Sequence, residues 1–315
     1  MDKMQAAIVD PNAPGHLALH EVEVPAPARN EALVKVAAVS MNQGEVRYAR
    51  QWETGHPVGW DLAGVVEQPA ADGSGPKEGA RVVGFVEKGA WAEKAAVPTH
   101  AMAELPDHVF FEQAATLPVA GLTALHVLEK GSGLLGRNVL VTGASGGVGL
   151  FACQLAKLMG AHVVGLIRRE SHRDIVTKSD ADEVVVSEDG SGVEHFGPYR
   201  LIAESVGGKV LGHVLNHLDY DGICVSFGNS SQQPTELNVR TLMTPGRARL
   251  YGFILFRELG IEPASVGLAR LVKLVADRKL HPRITLEEPM QKVGEVAKDL
   301  MDRKIAGKAV LRWWI

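Results

Sequence analysis

The stretch VLVTGASGGVG, Val139–Gly149, decides how this chain is read. It is a hydrophobic strand that runs into a glycine-rich turn, and Leu150–Met159 behind it carries a helical pattern. Small residues in such a turn let the backbone approach a pyrophosphate, and the N-terminus of the following helix turns unpaired N–H groups toward its negative charge. Ala144-x-Gly146-x-x-Gly149 is the dinucleotide fingerprint with alanine for the first glycine. A glycine pattern alone says little. Set between a strand and a helix it points to a nucleotide cofactor, against the plain alternative of a structural strand-turn-helix.

Working outward, apolar strands and helical patterns alternate from about Leu117. Strands are expected at Asn138–Thr142, His162–Ile167, Glu183–Val186, Leu201–Ser205, Ile223–Phe227 and Leu250–Leu255. Helices are expected at Leu150–Met159, Ser171–Ser179, Val210–His217 and around Arg240–Thr244. This alternation implies a parallel α/β sheet. Before it, short β patterns at Gln5–Val9, Leu17–Val24, Ala32–Val39, Asp61–Glu67, Arg81–Phe85 and Trp91–Val97 are separated by turn clusters, as in a small barrel or folded sheet. After it come a helix at Ala264–Arg278, a β-like segment at Ile284–Leu286, a helix at Gln291–Asp302 and a strand at Ala309–Trp313. The Trp313-Trp314 pair is expected to pack that strand or an interface.

The second strand of the α/β region ends Gly165-Leu166-Ile167-Arg168-Arg169. An NAD site places an acid about twenty residues after its glycines, on the ribose hydroxyls. Arginines stand there instead. A carboxylate would repel a 2′-phosphate, whereas a guanidinium binds it with charge-assisted hydrogen bonds, and Ser171 adds a hydroxyl. The expectation is NADP(H), unless Glu170 turns inward.

Composition narrows the rest. The chain has 315 residues and a formal net charge of −4, so it is long enough for about two domains and has no basic excess for nucleic acid. No apolar run is long enough for a membrane span and MDKMQAAIVD does not read as a signal peptide, so a cytoplasmic protein without membrane partner is expected. Cys153 and Cys224 stand far apart, which disfavours a disulfide framework or a cysteine-rich zinc lobe and leaves Cys153 as a buried thiol.

With these residues in hand, the chain resembles the medium-chain dehydrogenase/reductase superfamily, and within it the zinc-independent quinone oxidoreductase, zeta-crystallin-like branch. The resemblance rests on the order of several segments: Val39-Ser40-Met41-Asn42 with Glu45, Gly59–Val66, Leu117–Ala124, Ala144–Gly149, Glu204–Gly208, Val225–Gly228 and Gly307–Leu311. It implies a Rossmann doubly wound parallel sheet, residues 119–259, inserted in a GroES-like β-rich catalytic domain made of 1–118 plus 260–315. The active site would lie in a cleft at the carboxyl ends of the strands.

Site roles follow from the resemblance. Asn42 would contact the nicotinamide ribose or the substrate oxygen, or else is a turn residue. Thr123 would hold the carboxamide region, or cap a helix. Ser145, Gly146, Gly147 and Val148 would meet the pyrophosphate, with Val206, Phe227 and Gly228 beside the cofactor. Phe253, Ile254 and Leu255 would flank the nicotinamide, or are plain core strand. Tyr48 is a proton donor or a pocket wall, and Arg47 would stabilise an enolate; solvent is the other proton source.

The zinc enzymes of the superfamily bind metal through a cysteine, a His-Glu pair and a later cysteine or acid. At the first places this chain has Asn42 and Trp60-Asp61, and a lone carboxylate does not make a three-ligand site. His213 and His217 stand i, i+4 on a helix pattern, but no acid is placed as in HExxH, and they read as ordinary helix histidines beside an apolar face of Leu211, Val214, Leu215 and Leu218. Without metal, hydride transfer to a quinone or an α,β-unsaturated carbonyl is the expected chemistry, with hydrogen-bond donors taking the developing charge. An enoyl-thioester reductase of the same fold and an NADPH-binding protein without turnover are the rivals. A homodimer is expected from the family, with Leu250–Leu255 pairing to its symmetry mate.

Overall fold

The computed structural model of the protein describes residues 2–313. It forms two compact units, Met1–Leu122 with Leu259–Ile315, and Thr123–Glu258. The first unit opens with an antiparallel hairpin of β1 (Lys3–Val9) and β2 (Leu17–Glu23), followed by β3 (Glu31–Ser40), β4 (Asp61–Gln68), β5 (Arg81–Phe85), β6 (Lys94–Pro98) and β7 (Met102–Glu104). The second unit contributes β8 (Asn138–Thr142), β9 (His162–Ile167), β10 (Glu183–Val186), β11 (Tyr199–Glu204), β12 (Leu218–Ser226) and β13 (Arg249–Gly252). The chain then returns to the first unit with β14 (Ile284–Pro289) and β15 (Lys308–Arg312).

In the first unit the sheet order is β14-β15-β3-β4-β5-β7, with β6 also on β3. β3 is central because its Val36–Ser40 half is buried without alternation, as a strand covered on both faces must be. Its end is bracketed by β4, with Ser40 opposite Asp61, and by β15, with Ser40 opposite Val310. Val34, Val39, Leu62, Val66, Trp91 and Leu311 form the core, and the helix Val293–Met301 closes it with Val293, Val296, Ala297 and Leu300. Trp313 packs on this core; Trp314 lies outside the described residues.

In the second unit six parallel strands run in the order β10-β9-β8-β11-β12-β13, the doubly wound arrangement of a dinucleotide-binding sheet. Leu140, Val164, Ile202 and Cys224 fill its centre, and Cys153 is buried beside it. No helix among the described residues is long and apolar enough to cross a membrane.

Several local expectations change. The strand expected over Leu250–Leu255 stops at Gly252: Phe253 N–H gives its bond to Ser226 O at 2.8 Å, and Ile254 O then accepts from Arg257 and Glu258 N–H, starting the helix Leu255–Glu258. Phe253, Ile254 and Leu255 are therefore not a strand, and Ile254 is 61% exposed. The strand expected from Trp91 begins at Lys94, because Trp91 and Ala92 bond to β1 instead. Gln43–Ala49 and Phe111–Ala115, where no helix is expected, are helical, and Leu117–Gly121 forms a π-turn that leads into the helix Leu122–Glu129.

Candidate active site

In the second unit the turn after β8 is held close to the sheet. Ala144 N–H donates to Leu166 O on β9, and Gly146, in extended geometry, caps a helix that starts at Gly147, three residues before the expected Leu150. The first-turn N–H groups of Gly147, Val148 and Gly149 thus fall where a helix has no acceptor of its own. Gly149 is required by proximity: a Cβ there would stand 2.5 Å from Gly143 O and 2.7 Å from Ala144 Cα. Alanine is accepted at position 144 because Gly165 faces it on β9, where an added Cβ would come 3.2 Å from the Ala144 methyl. Ser145, Gly146, Gly147 and Val148 all keep solvent access, as a cradle for an anion needs.

The carboxyl ends of three strands are joined by one acid. Glu204 is fully buried at the end of β11 and accepts from Val206 N–H at 2.6 Å, Gly207 N–H at 2.8 Å and Ser226 Oγ at 3.2 Å, with Thr142 Oγ1 at 3.4 Å. Burial pushes its carboxyl above the usual range, while these donors pull it down. Ser205 N–H donates to Thr142 Oγ1 at 2.9 Å and Phe227 N–H to Glu204 O at 2.9 Å. Val206, Phe227 and Gly228 are half-buried on this rim. In the sequence the one trace of this role of Glu204 is an acid closing the apolar run Leu201-Ile202-Ala203, which assigned it no partner.

Beyond β9, Arg168, Arg169 and Ser171 are exposed. Glu170 does not turn inward: it is held by Arg173 through Nε at 2.5 Å and Nη2 at 3.0 Å. His172, which no sequence motif singles out, reaches Ser145 Oγ from Nδ1 at 3.1 Å. Burial, with the charges of Arg169 and Arg168, lowers its pKa. The glycine turn and the arginine strand end are therefore bridged by a neutral imidazole. Thr123 is buried, and as the segment is helical from Leu117 onward it is not a helix N-cap.

In the first unit Asn42 and Asp61 meet across the β3–β4 end. Asn42 Nδ2 donates to Asp61 Oδ2 at 2.8 Å and to Glu45 Oε1 at 3.1 Å, and its Oδ1 accepts from Lys308 Nζ at 2.7 Å. Lys308 Nζ also donates to Met41 O at 2.8 Å and lies 3.8 Å from Asp61. Asp61 Oδ1 takes Val119 N–H at 3.0 Å, and Glu45 takes the N–H groups of Asn42 and Trp60. All three charged groups are buried. Burial drives Glu45 upward, helped by the Asp61 charge, and brings Asp61 up to about 6; burial lowers Lys308. Both amide hydrogens of Asn42 are thus used inside the unit, leaving one Oδ1 lone pair for any ligand.

Tyr48 is 48% exposed, stacked on Trp52 at 5.9 Å, and tilted against Trp60 at 6.4 Å. Arg47 keeps a buried Nε–H without an acceptor. Both sit on the Gln43–Ala49 helix.

A glycine turn opening a helix at the carboxyl edge of a doubly wound sheet defines a dinucleotide-binding architecture, here interrupting a β-rich unit in the chain. Residues 28–107 match the alcohol dehydrogenase GroES-like domain, and residues 147–268 match the zinc-binding dehydrogenase family. The quinone oxidoreductase of Lama guanicoe is 30% identical over 92% of this chain and 91% of its own length. Acryloyl-coenzyme A reductase of Sulfurisphaera tokodaii is 26% identical over 97% of this chain and 99% of its own. A mycobacterial protein solved in complex with NADPH superimposes with a TM-score of 0.88 at 25% identity, covering 98% of this chain and 100% of its own. The chain belongs to the quinone oxidoreductase family, within the medium-chain dehydrogenase/reductase superfamily, and is an oxidoreductase.

Proposed function

We propose that this protein is an NADPH-dependent reductase that delivers hydride to a quinone or an α,β-unsaturated carbonyl without a metal ion. The observation that carries the cofactor choice is the Arg168-Arg169 strand end next to the glycine turn, with Ser171 and the Ser145–His172 pair between them. Two guanidinium groups and a hydroxyl match a 2′-phosphate, and Glu170, the acid that would have favoured NAD, is engaged by Arg173. The first-turn N–H groups of Gly147 and Val148 would take the pyrophosphate. The mycobacterial neighbour with NADPH supports the same reading.

NADPH, when bound, supplies the hydride. The protein's own residues bind, orient and stabilise charge. Glu204 fixes Val206 and the rim on which Phe227 and Gly228 lie. Arg47, with its unpaired Nε–H, is the donor for a developing enolate or quinolate oxygen, and the exposed Tyr48 hydroxyl is the proton source with water as its substitute. Asn42 acts through its remaining Oδ1 lone pair and otherwise as a brace. The donor set speaks against a catalytic zinc: an amide and an indole stand at two ligand places, and Asp61 is already held by Lys308 and Asn42.

The test is NADPH oxidation by purified, chelator-treated protein across quinones, enones and acyl-thioesters. Turnover of a quinone or enone is expected. Exclusive turnover of an enoyl thioester would move the assignment to the second reading, which the Sulfurisphaera tokodaii relative favours. NADPH binding with no turnover on any acceptor would defeat both.

A further inference from the structure

We propose that Glu194, His213 and His217 form a binding site for one zinc-like divalent transition-metal ion, distinct from the nucleotide site. One donor atom from each lies within 4.8 Å of the others. His213 Nε2 is 3.4 Å from Glu194 Oε2, and the His213 and His217 rings are tilted at 5.1 Å between centroids.

The arrangement follows from local structure. His213 lies in the last turn of the helix Gly208–Val214, and the chain continues as the turn Leu215–His217, so the i, i+4 spacing survives the change of helix type and puts both rings on one side. The opposite side is committed to the core, where Leu211, Val214, Leu215 and Leu218 are buried. The acid missing from the histidine helix comes from elsewhere in the chain: the Val193–Phe196 turn, between β10 and β11, carries Glu194 over the histidines. Its carboxylate is oriented by Gly192 N–H at 2.8 Å. Val193 is buried, and Tyr199 Oη donates to its carbonyl at 2.6 Å, so the turn is anchored at the residue just before the ligand.

Two imidazoles and a carboxylate are a donor set for zinc or a similar borderline ion, with water in the fourth position. The ligand atoms, within 4.8 Å of one another, need to close by at most about 1.5 Å to reach tetrahedral spacing, which rotation of three solvent-accessible side chains supplies. The position makes the site structural. His217 immediately precedes β12 and Glu194 lies shortly before β11, so the ion sits at the amino ends of strands whose carboxyl ends form the nucleotide rim. An ion there would clip the connection entering β11 to the connection entering β12.

The experiment is titration of chelator-stripped protein with Co2+, followed by displacement with Zn2+. One Co2+ per chain is expected, with the intense visible bands of low-coordinate cobalt, lost when Zn2+ is added. His213→Gln with His217→Gln should abolish the bands, and Glu194→Gln should weaken binding by about tenfold or more. Far-UV circular dichroism reports that each variant is folded, and Zn2+ should raise the melting temperature of wild type but not that of the double histidine variant. Absence of the bands in folded wild type, or equal bands in the double variant, overturns the proposal.

Discussion

Arg168 and Arg169 act at the scale of single side chains. If they read a 2′-phosphate, Arg168→Ala should raise the KM for NADPH by about tenfold, a charge-assisted hydrogen bond at an exposed site, and leave NADH almost unchanged. Equal loss with both cofactors in steady-state kinetics would show that the arginine has no phosphate-reading role. His172 adds a pH dependence. Its pKa lies below the ordinary histidine value, so it is neutral near pH 7, and an adjacent phosphate would raise it. Binding then takes up a proton, and affinity for NADPH should gain as pH falls from 7 toward 6. Comparing fluorescence titrations of wild type and His172→Gln checks this: the difference between the two should widen with falling pH, because the phosphate's own titration is common to both.

At the scale of elements, close approach and buried pairing decide what can change. Gly149→Ala puts a methyl 2.5 Å from Gly143 O, so the helix must back away from β8; a loss of about 1–3 kcal/mol in urea unfolding is expected, together with weaker nucleotide binding. In the first unit, Asp61 titrates up to about 6 in the folded protein against an ordinary value near 3.8. The folded form binds the extra proton between those values, so this group's contribution to stability is greatest at low pH and is lost as pH rises to about 6. Asp61→Asn should therefore remove a falling component of stability between pH 4 and 6, measured as the wild-type minus variant difference in unfolding midpoint. The elements differed in how readable they were. β8 and β9 were evident because VLV and VVGLI are apolar on both faces. Gln43–Ala49 was not, because a seven-residue polar segment has almost no period, and Glu45 reaching back to Asn42 N–H starts it. Leu250–Leu255 misled because Phe253 and Leu255 are buried as strand residues would be, while the backbone had already turned. The glycine turn was legible from its neighbours in sequence; the Asn42 cluster was not, because Lys308 reaches it only through the pairing of β15 with β3.

At the scale of the whole molecule, association and folding order are the open quantities. β13 is a short edge strand with Leu250 41% exposed and one side unpaired among the described residues, the kind of edge a second copy would cover. A homodimer by sedimentation equilibrium is expected, reduced to monomer by a charged substitution such as Leu250→Lys; a wild-type monomer would rule out this pairing. The Lys308 ammonium, bonded to Met41 O and Asn42 Oδ1, has a further consequence in time. During synthesis the early strands β1–β7 emerge long before β15, so Glu45 and Asp61 wait with no cation to share their enclosure. The second unit, a single stretch of chain from Thr123 to Glu258, faces no such delay. The usual order of N-terminal first is therefore expected to invert: limited proteolysis of nascent chains should find the inserted unit resistant while the β-rich segment before it is still cleaved, and that segment should resist only once Lys308 has been added.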